Sequence, residues 1–284
     1  MNISEKKVCL ITGATAGIGL ETAKGIAKKG IHLVLVGRSK EKCEQAIQYI
    51  KATNANASLD YLLCDLSSQK SLRQLAKDFL DTYNRLDILI NNAGAVYSEL
   101  QYSEDAIEMQ FAVNHLAAFL LTNLLLDILK QSVPARIINV ASHSHYRGKI
   151  NFDDIYHTEK YWAMTVYEQS KLANVLFTYE LDRMLEDSGI TVNALHPGVV
   201  DTTIVTINSK GIVSFAWRVI RLFGMSAADG AKTSIYLATS EEVATTSGKY
   251  FNKCNPKKSS RASFDKEAAL KLWQISKTLT KLNS

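Results

Sequence analysis

Short apolar runs and longer amphipathic ones alternate along this chain, and few architectures accept that pattern. Strand-like runs fall at 8–12, 32–36, 59–64, 87–90, 136–140 and 191–195, with a further one at 249–251. Helical periodicity fills the gaps at 18–29, 40–51, 67–82, 104–129, 163–186 and 227–238, and a last helix is expected at 265–280. Strands separated by helices pair in parallel, because each crossover needs the length of a helix to bring the chain back. The expected fold is a doubly wound α/β sheet, Rossmann-type, of about seven strands with helices on both faces. With 284 residues, 46% of them hydrophobic, only 3 prolines and no linker, repeat or low-complexity stretch, residues 1–284 read as one domain.

In such sheets ligands bind outside the carboxyl ends of the strands, where the strand order reverses. Gly13, Gly17 and Gly19 fall there, in T-G-A-T-A-G-I-G between the first strand and the first helix. Glycines let the backbone turn sharply and approach a ligand, and the helix start offers unpaired N–H groups to a pyrophosphate. The spacing G-x-x-x-G-x-G departs from the commoner G-x-G-x-x-G, but its place after the first strand meets the same requirement. Arg38 and Ser39 follow the second strand, Asp65 the third, 91–94 the fourth, Ser142 the fifth and 196–198 the sixth.

Tyr167 and Lys171 stand four apart in V-Y-E-Q-S-K, so on a helix the phenol and the ammonium share one face. A free tyrosine titrates near about pH 10, and a neighbouring cation stabilises its phenolate and brings the pKa toward neutrality. That spacing makes Tyr167 a candidate acid/base for hydride chemistry.

Other function classes fit poorly. A net charge of +5, from 33 basic and 28 acidic residues scattered without aromatic interleaving, argues against a nucleic-acid partner. Cys9, Cys43, Cys64 and Cys254 form no C-x-x-C and read as reduced thiols in a cytoplasmic protein. Positions 1–7 are polar and the apolar run after them is strand-length, so neither a signal peptide nor a transmembrane helix is expected there. The apolar run 119–129 is interrupted by Thr122, Asn123 and Asp127 and reads as a buried interface helix. His143 and His145 have no third ligand at suitable spacing, so no metal is expected. V-A-S-H-S lacks the glycines of a hydrolase nucleophile elbow.

Seven ordered pieces carry a resemblance over nearly the whole chain. They are T-G-A-T-A-G-I-G at Thr12, C-D-L at Cys64, N-N-A-G at Asn91, N-H-L-A-A-F-L-L-T from Asn114, V-A-S ending at Ser142, Y-E-Q-S-K at Tyr167 and H-P-G-V-V-D-T from His196. Together they resemble the short-chain dehydrogenase/reductase family. The resemblance implies that Tyr167 donates or accepts the proton, that Lys171 lowers its pKa and holds the nicotinamide ribose, and that Ser142 hydrogen-bonds the substrate oxygen. Asn114 would complete the catalytic set by anchoring a proton-relay water near Lys171. For the cofactor it implies the glycine turn with Thr15 and Ile18, Asp65 and Leu66 at the adenine, and Asn91, Ala93 and Gly94 along the cofactor backbone. Pro197, Gly198, Val200 and Thr202 would lie on the nicotinamide side.

Cofactor choice follows from the end of the second strand. NAD-binding chains of this fold place a carboxylate there, against the ribose 2′-OH. Here the stretch reads V-L-V-G-R-S-K, and Arg38, Ser39 and Lys40 offer charge and donors to a 2′-phosphate, so NADP(H) is favoured over NAD(H).

The S-I-Y-L-A, S-G-K-Y-F and L-W-Q-I-S pieces of the C-terminal third, with S-H-Y-R-G-K-I-N-F-D-D from Ser144, look like the retinol dehydrogenase-like branch. That likeness implies a lipophilic carbonyl or alcohol as substrate, the chain acting as a carbonyl reductase or its reverse, with contacts from Ser142, His143, Tyr167 and Trp217. The other reading is a catalytically weak NADP(H)-binding regulatory protein, against which retention of Ser142, Tyr167 and Lys171 speaks. Residues 203–226 are read as a substrate-lid insertion and 256–284 as a C-terminal extension with a terminal helix. Within the former, 211–223 is apolar apart from the stripe Ser214, Arg218 and Arg221. It suits a lid, an ordinary core helix, or a helix making peripheral membrane contact. Family members often pair through the fourth and fifth helices, so a homodimer or homotetramer is expected.

Overall fold

The first strand, β1 (Val8–Thr12), is buried at every position, as a strand covered on both faces must be. In the computed structural model, which describes residues 6–198 and 226–282, it is followed by α1 (Gly17–Ala27), β2 (His32–Gly37), α2 (Lys40–Thr53), β3 (Leu59–Leu63), α3 (Gln69–Thr82) and β4 (Ile88–Asn91). Then come α4 (Met109–Phe111), α5 (Ala117–Leu124), α6 (Leu126–Gln131), β5 (Ala135–Val140), α7 (Ala163–Met184) and β6 (Ile190–His196). The last elements are α8 (Ala227–Thr239), β7 (Lys249–Asn252), β8 (Asn255–Pro256) and α9 (Lys266–Leu279). The sheet runs β3-β2-β1-β4-β5-β6-β7-β8, parallel except for β8, so the order reverses between β1 and β4. The expected doubly wound sheet is present.

Strand alternation divides the interior into two cores. Ile88 and Ile90 of β4 point into the layer holding Ile26, Ile50 and Leu237, whereas Leu89 joins Phe79, Leu120, Phe177 and Trp273 on the other face. Helix starts follow the capping chemistry of the sequence: Ser39, Ser68, Ser226 and Asp265 each accept a backbone N–H of the first turn of α2, α3, α8 and α9. The end of α9 docks on α3, where Gln69 Nε2 donates to Leu279 O at 2.8 Å and Arg73 Nη2 to Thr280 O at 2.7 Å.

Two differences from the sequence expectation stand out. The helix expected at 104–129 is three short helices, with a π turn at Ala112–Leu116 and a break at Leu125. The two-residue β8 pairs back on β7 through Lys253 and Cys254, both in the left-handed region at φ 51° and 61°.

Candidate active site

At the reversal point, the carboxyl ends of β1 and β4 open a pocket of about 250 Å³. Its floor is the glycine turn. Gly13 and Gly17 adopt φ of 65° and 54°, a region that favours glycine. A Cβ on Gly19 would stand 2.2 Å from Gly13 O and 2.5 Å from Asn92 Nδ2, so only glycine lets α1 begin this close to β1. The N-cap of α1 is Ala16, whose side chain caps nothing, and the first N–H groups are left to a ligand. These features fit a pyrophosphate. Thr12 and Asn92 pin the two strand ends together: Thr12 Oγ1 accepts the Asn92 and Ala93 N–H groups at 3.1 Å each, and Asn92 Nδ2 donates to Thr12 O at 2.9 Å.

Of the residues expected at the cofactor, Gly13, Thr15, Gly17, Ile18, Gly19, Arg38, Asp65, Leu66, Ala93, Gly94, Tyr167, Lys171 and Pro197 line this pocket. Arg38 is exposed at the rim, while Asp65 spends one oxygen on the N–H and hydroxyl of Ser67. Two expectations are corrected, and a third residue lies just beside the lining. Asn91 lies on the Leu89 face of β4, buried beneath the sheet, where its Nδ2 donates to Asn139 Oδ1 at 2.8 Å and Thr122 Oγ1 at 3.0 Å; its neighbour Asn92 lines the pocket instead. Ser39 is outside the lining and its Oγ accepts the Lys42 N–H, so it caps α2. Gly198 borders an adjoining cavity with His196, Lys232 and Cys254. Val200, Thr202, Trp217 and the segments 203–225 and 211–223 lie outside the described residues. Lining residues not expected from the sequence include Asn92, Tyr97 and Val113. For Asn92 the signal was present, since period-two alternation from Ile88 and Ile90 sends Asn91 to the opposite face.

Tyr167 and Lys171 stand on α7 as their spacing predicts, with Lys171 Nζ 5.7 Å from the centre of the phenol ring. Lys171 is buried and its Nζ donates to Val140 O at 3.0 Å; the absent Cβ of Gly94 leaves a space 3.1 Å from that nitrogen. Burial lowers the Lys171 ammonium to about 8. The expected depression of Tyr167 by Lys171 is absent. Burial raises the phenol, and the opposing influence is a hydrogen bond with Ser142. The two side chains therefore meet, although Ser142 itself is not part of the pocket lining. Ser142 is half-buried at the start of the turn His143–Tyr146, and exposed His143 follows it.

Asn114 occupies the π turn. Its Oδ1 accepts the Ala95 N–H at 2.7 Å, and its Nδ2 donates to Ala95 O at 2.9 Å and Ser170 Oγ at 3.0 Å. That two-way grip on the loop after β4 is why the helix cannot run straight through, and it places Asn114 Oδ1 beside Gly94 and Lys171. His145 is buried and His143 exposed; among the described residues no group of three His, Cys, Asp or Glu side chains is arranged to hold a metal.

A profile of the family described as short chain dehydrogenase matches residues 7–213. The chain belongs to the short chain dehydrogenase family. This short chain dehydrogenase is similar to retinol dehydrogenase 13 of Homo sapiens, 44% identical over 98% of this chain and 86% of the relative. Retinol dehydrogenase 12 of Mus musculus is 42% identical over 95% of this chain and 85% of its own length. Among solved structures, a protein from Mycobacterium Paratuberculosis superposes with a TM-score of 0.77 at 30% identity, covering 99% of this chain and 97% of its own. The fold is also that of an actinorhodin polyketide ketoreductase with NADPH, TM-score 0.68 at 24% identity over 89% of this chain and 97% of the other. The protein is thus an oxidoreductase of the retinol dehydrogenase-like branch, carrying the dinucleotide fold of its family.

Proposed function

We propose that the protein reduces a lipophilic ketone or aldehyde to its alcohol with NADPH, Tyr167 giving the proton. The observation that carries this reading is the meeting of Tyr167, Ser142 and Lys171 beside a glycine turn shaped for a pyrophosphate. When bound, the nicotinamide dinucleotide supplies the hydride. The α1 N-terminus holds the pyrophosphate and Arg38 faces the 2′-phosphate. Lys171, already fixed at Val140 O, takes the ribose hydroxyls. Ser142 and Tyr167 donate to the substrate oxygen, and the phenol proton passes to it as negative charge develops there.

The retinol dehydrogenases among the relatives support a retinoid-like substrate. Four free cysteines support a reducing, cytoplasmic setting. Among the described residues no helix is long and apolar enough to cross a membrane. The deciding experiment follows NADPH and NADH oxidation against a panel of lipophilic aldehydes and ketones, retinaldehyde included. Turnover with NADPH that Tyr167→Phe abolishes is the expected result. Cofactor binding without turnover of any carbonyl would favour a regulatory role.

A further inference from the structure

His145 is fully buried in the turn behind Ser142, and both of its ring nitrogens are engaged by main-chain groups. Nδ1 lies 2.6 Å from Ser142 O, which can only accept, so Nδ1 carries the proton. Nε2 is then an acceptor, and it receives the Ser260 N–H at 3.1 Å. Burial, with a smaller push from His143, holds this imidazole down to about 4, against the pull of the Ser142 carbonyl, and keeps it neutral. Tyr146 and Tyr250 pack on the ring at centroid distances of 4.2 and 4.6 Å.

Ser260 belongs to a strap, residues 258–263, that also grips α7. Ser259 Oγ pairs with Tyr179 Oη and with Ser263 Oγ at 2.7 Å each, and Lys258 O accepts the Tyr146 hydroxyl. The strap therefore touches both pieces that bring reactive groups together: the Ser142 turn and the helix bearing Tyr167 and Lys171. Ser142 Oγ accepts the Ser144 N–H at 3.2 Å, a bond inside the same turn whose first carbonyl His145 holds, so the placement of that turn bears on where the hydroxyl meets Tyr167.

We propose that His145 is a positioning residue for the reaction, transmitting the placement of the 258–263 strap to Ser142 so that the serine hydroxyl and the Tyr167 phenol are aligned from one anchor. This rests on reading Ser142 as the donor to the substrate oxygen.

His145→Phe keeps a ring between the two tyrosines but can neither donate to Ser142 nor accept from Ser260. His145→Gln offers an acceptor near the Nε2 position for the Ser260 N–H but leaves Ser142 O without its donor. Three quantities are measured on the full chain: kcat with saturating NADPH and one accepted ketone, the NADPH dissociation constant, and hydrogen exchange at the Ser260 amide. His145→Phe is expected to lower kcat about tenfold, the effect of losing one ordinary hydrogen bond in the transition state, with NADPH affinity within about twofold. Its Ser260 amide loses protection, whereas His145→Gln keeps that protection and still loses kcat, because Ser142 O has lost its donor. Wild-type kcat in either variant, or an affinity loss equal to the kcat loss, overturns the proposal. If His145→Phe fails to fold, His145→Gln decides alone, since wild-type kcat there overturns the proposal. Ser142→Ala separates the two readings: wild-type kcat there removes the role of Ser142, whereas lost turnover there with full turnover in His145→Phe removes only the role of His145.

Discussion

Lys171→Met should make the cofactor-free protein more stable while weakening its cofactor site. The ammonium is buried, and among the described residues it has no carboxylate partner; its one bond is to Val140 O at 3.0 Å. Burial lowers its pKa from the ordinary 10.5 to about 8. Each tenfold change in proton affinity is worth about 1.4 kcal/mol, so keeping this charge folded costs about 3 kcal/mol at neutral pH. Losing the bond to Val140 offsets about 1 kcal/mol, leaving about 2 kcal/mol in favour of the methionine and a Tm rise on the order of 5 °C. The sign with pH follows from a folded pKa below the unfolded one. The cost is fully present below about pH 8, shrinks as pH rises toward 10.5, and is gone above that. Urea unfolding of both proteins without cofactor, at about pH 7 and about pH 9.5, should show the advantage falling by about 2 kcal/mol. An advantage that ignores pH, or a methionine variant less stable at neutrality, would show that the buried ammonium does not cost the fold stability. NADPH affinity should fall in the same variant.

Arg38→Ala should erase a preference for NADPH over NADH of about tenfold or more, since each charge-assisted phosphate contact is worth roughly 1.5–3 kcal/mol; equal dissociation constants in the wild type would remove the premise. Tyr167→Phe should lower kcat by about 10²–10⁴-fold with NADPH binding kept, and a variant retaining more than about a tenth of wild-type kcat would exclude Tyr167 as the acid. Gly19→Ala sets a Cβ 2.2 Å from a main-chain oxygen and should cost about 1–3 kcal/mol along with cofactor affinity. Gly25→Ala, whose Cβ meets the movable Ile235 Cδ1 at 2.2 Å, should be milder by thermal denaturation.

The sheet was legible because its strands are short apolar runs ended by glycine or polar turns, and these signals are local. What stayed hidden depends on distant partners. The helical pattern of 104–129 gives no sign of the π turn at Ala112–Leu116, where Asn114 grips the Ala95 peptide, or of the break at Leu125. The turn into β8 uses Lys253 and Cys254 in left-handed conformations, with no glycine or asparagine at either position to announce it. In the candidate site, the shared helix face of Tyr167 and Lys171 was readable from their spacing, and their role from the ordered motifs around them. Their mutual electrostatics were not, because burial depth and the bond to Val140 O follow from tertiary packing. Ser39 read as a phosphate donor for a sound local reason, the same one that makes it a helix cap.

Asn91, displaced from the cofactor, belongs to a polar row that crosses the sheet interior. Thr122 of α5, Asn91 of β4, Asn139 of β5 and Thr178 of α7 are joined by bonds of 2.8–3.0 Å, and Asn91 stands directly opposite Asn139 in the strand pairing. A slip of β4 against β5 by one residue would face each amide with an aliphatic neighbour and strand its donors in the core, at about 1–3 kcal/mol for each unpaired group. Hydrophobic runs as uniform as these tolerate many alignments, so the row works as a key admitting one. A drifting sequence could keep that key only by changing Asn91 and Asn139 together. The two central strands and the helices above them are thereby held in step, and with them the heights at which Gly94, Lys171 and Tyr167 reach the pocket.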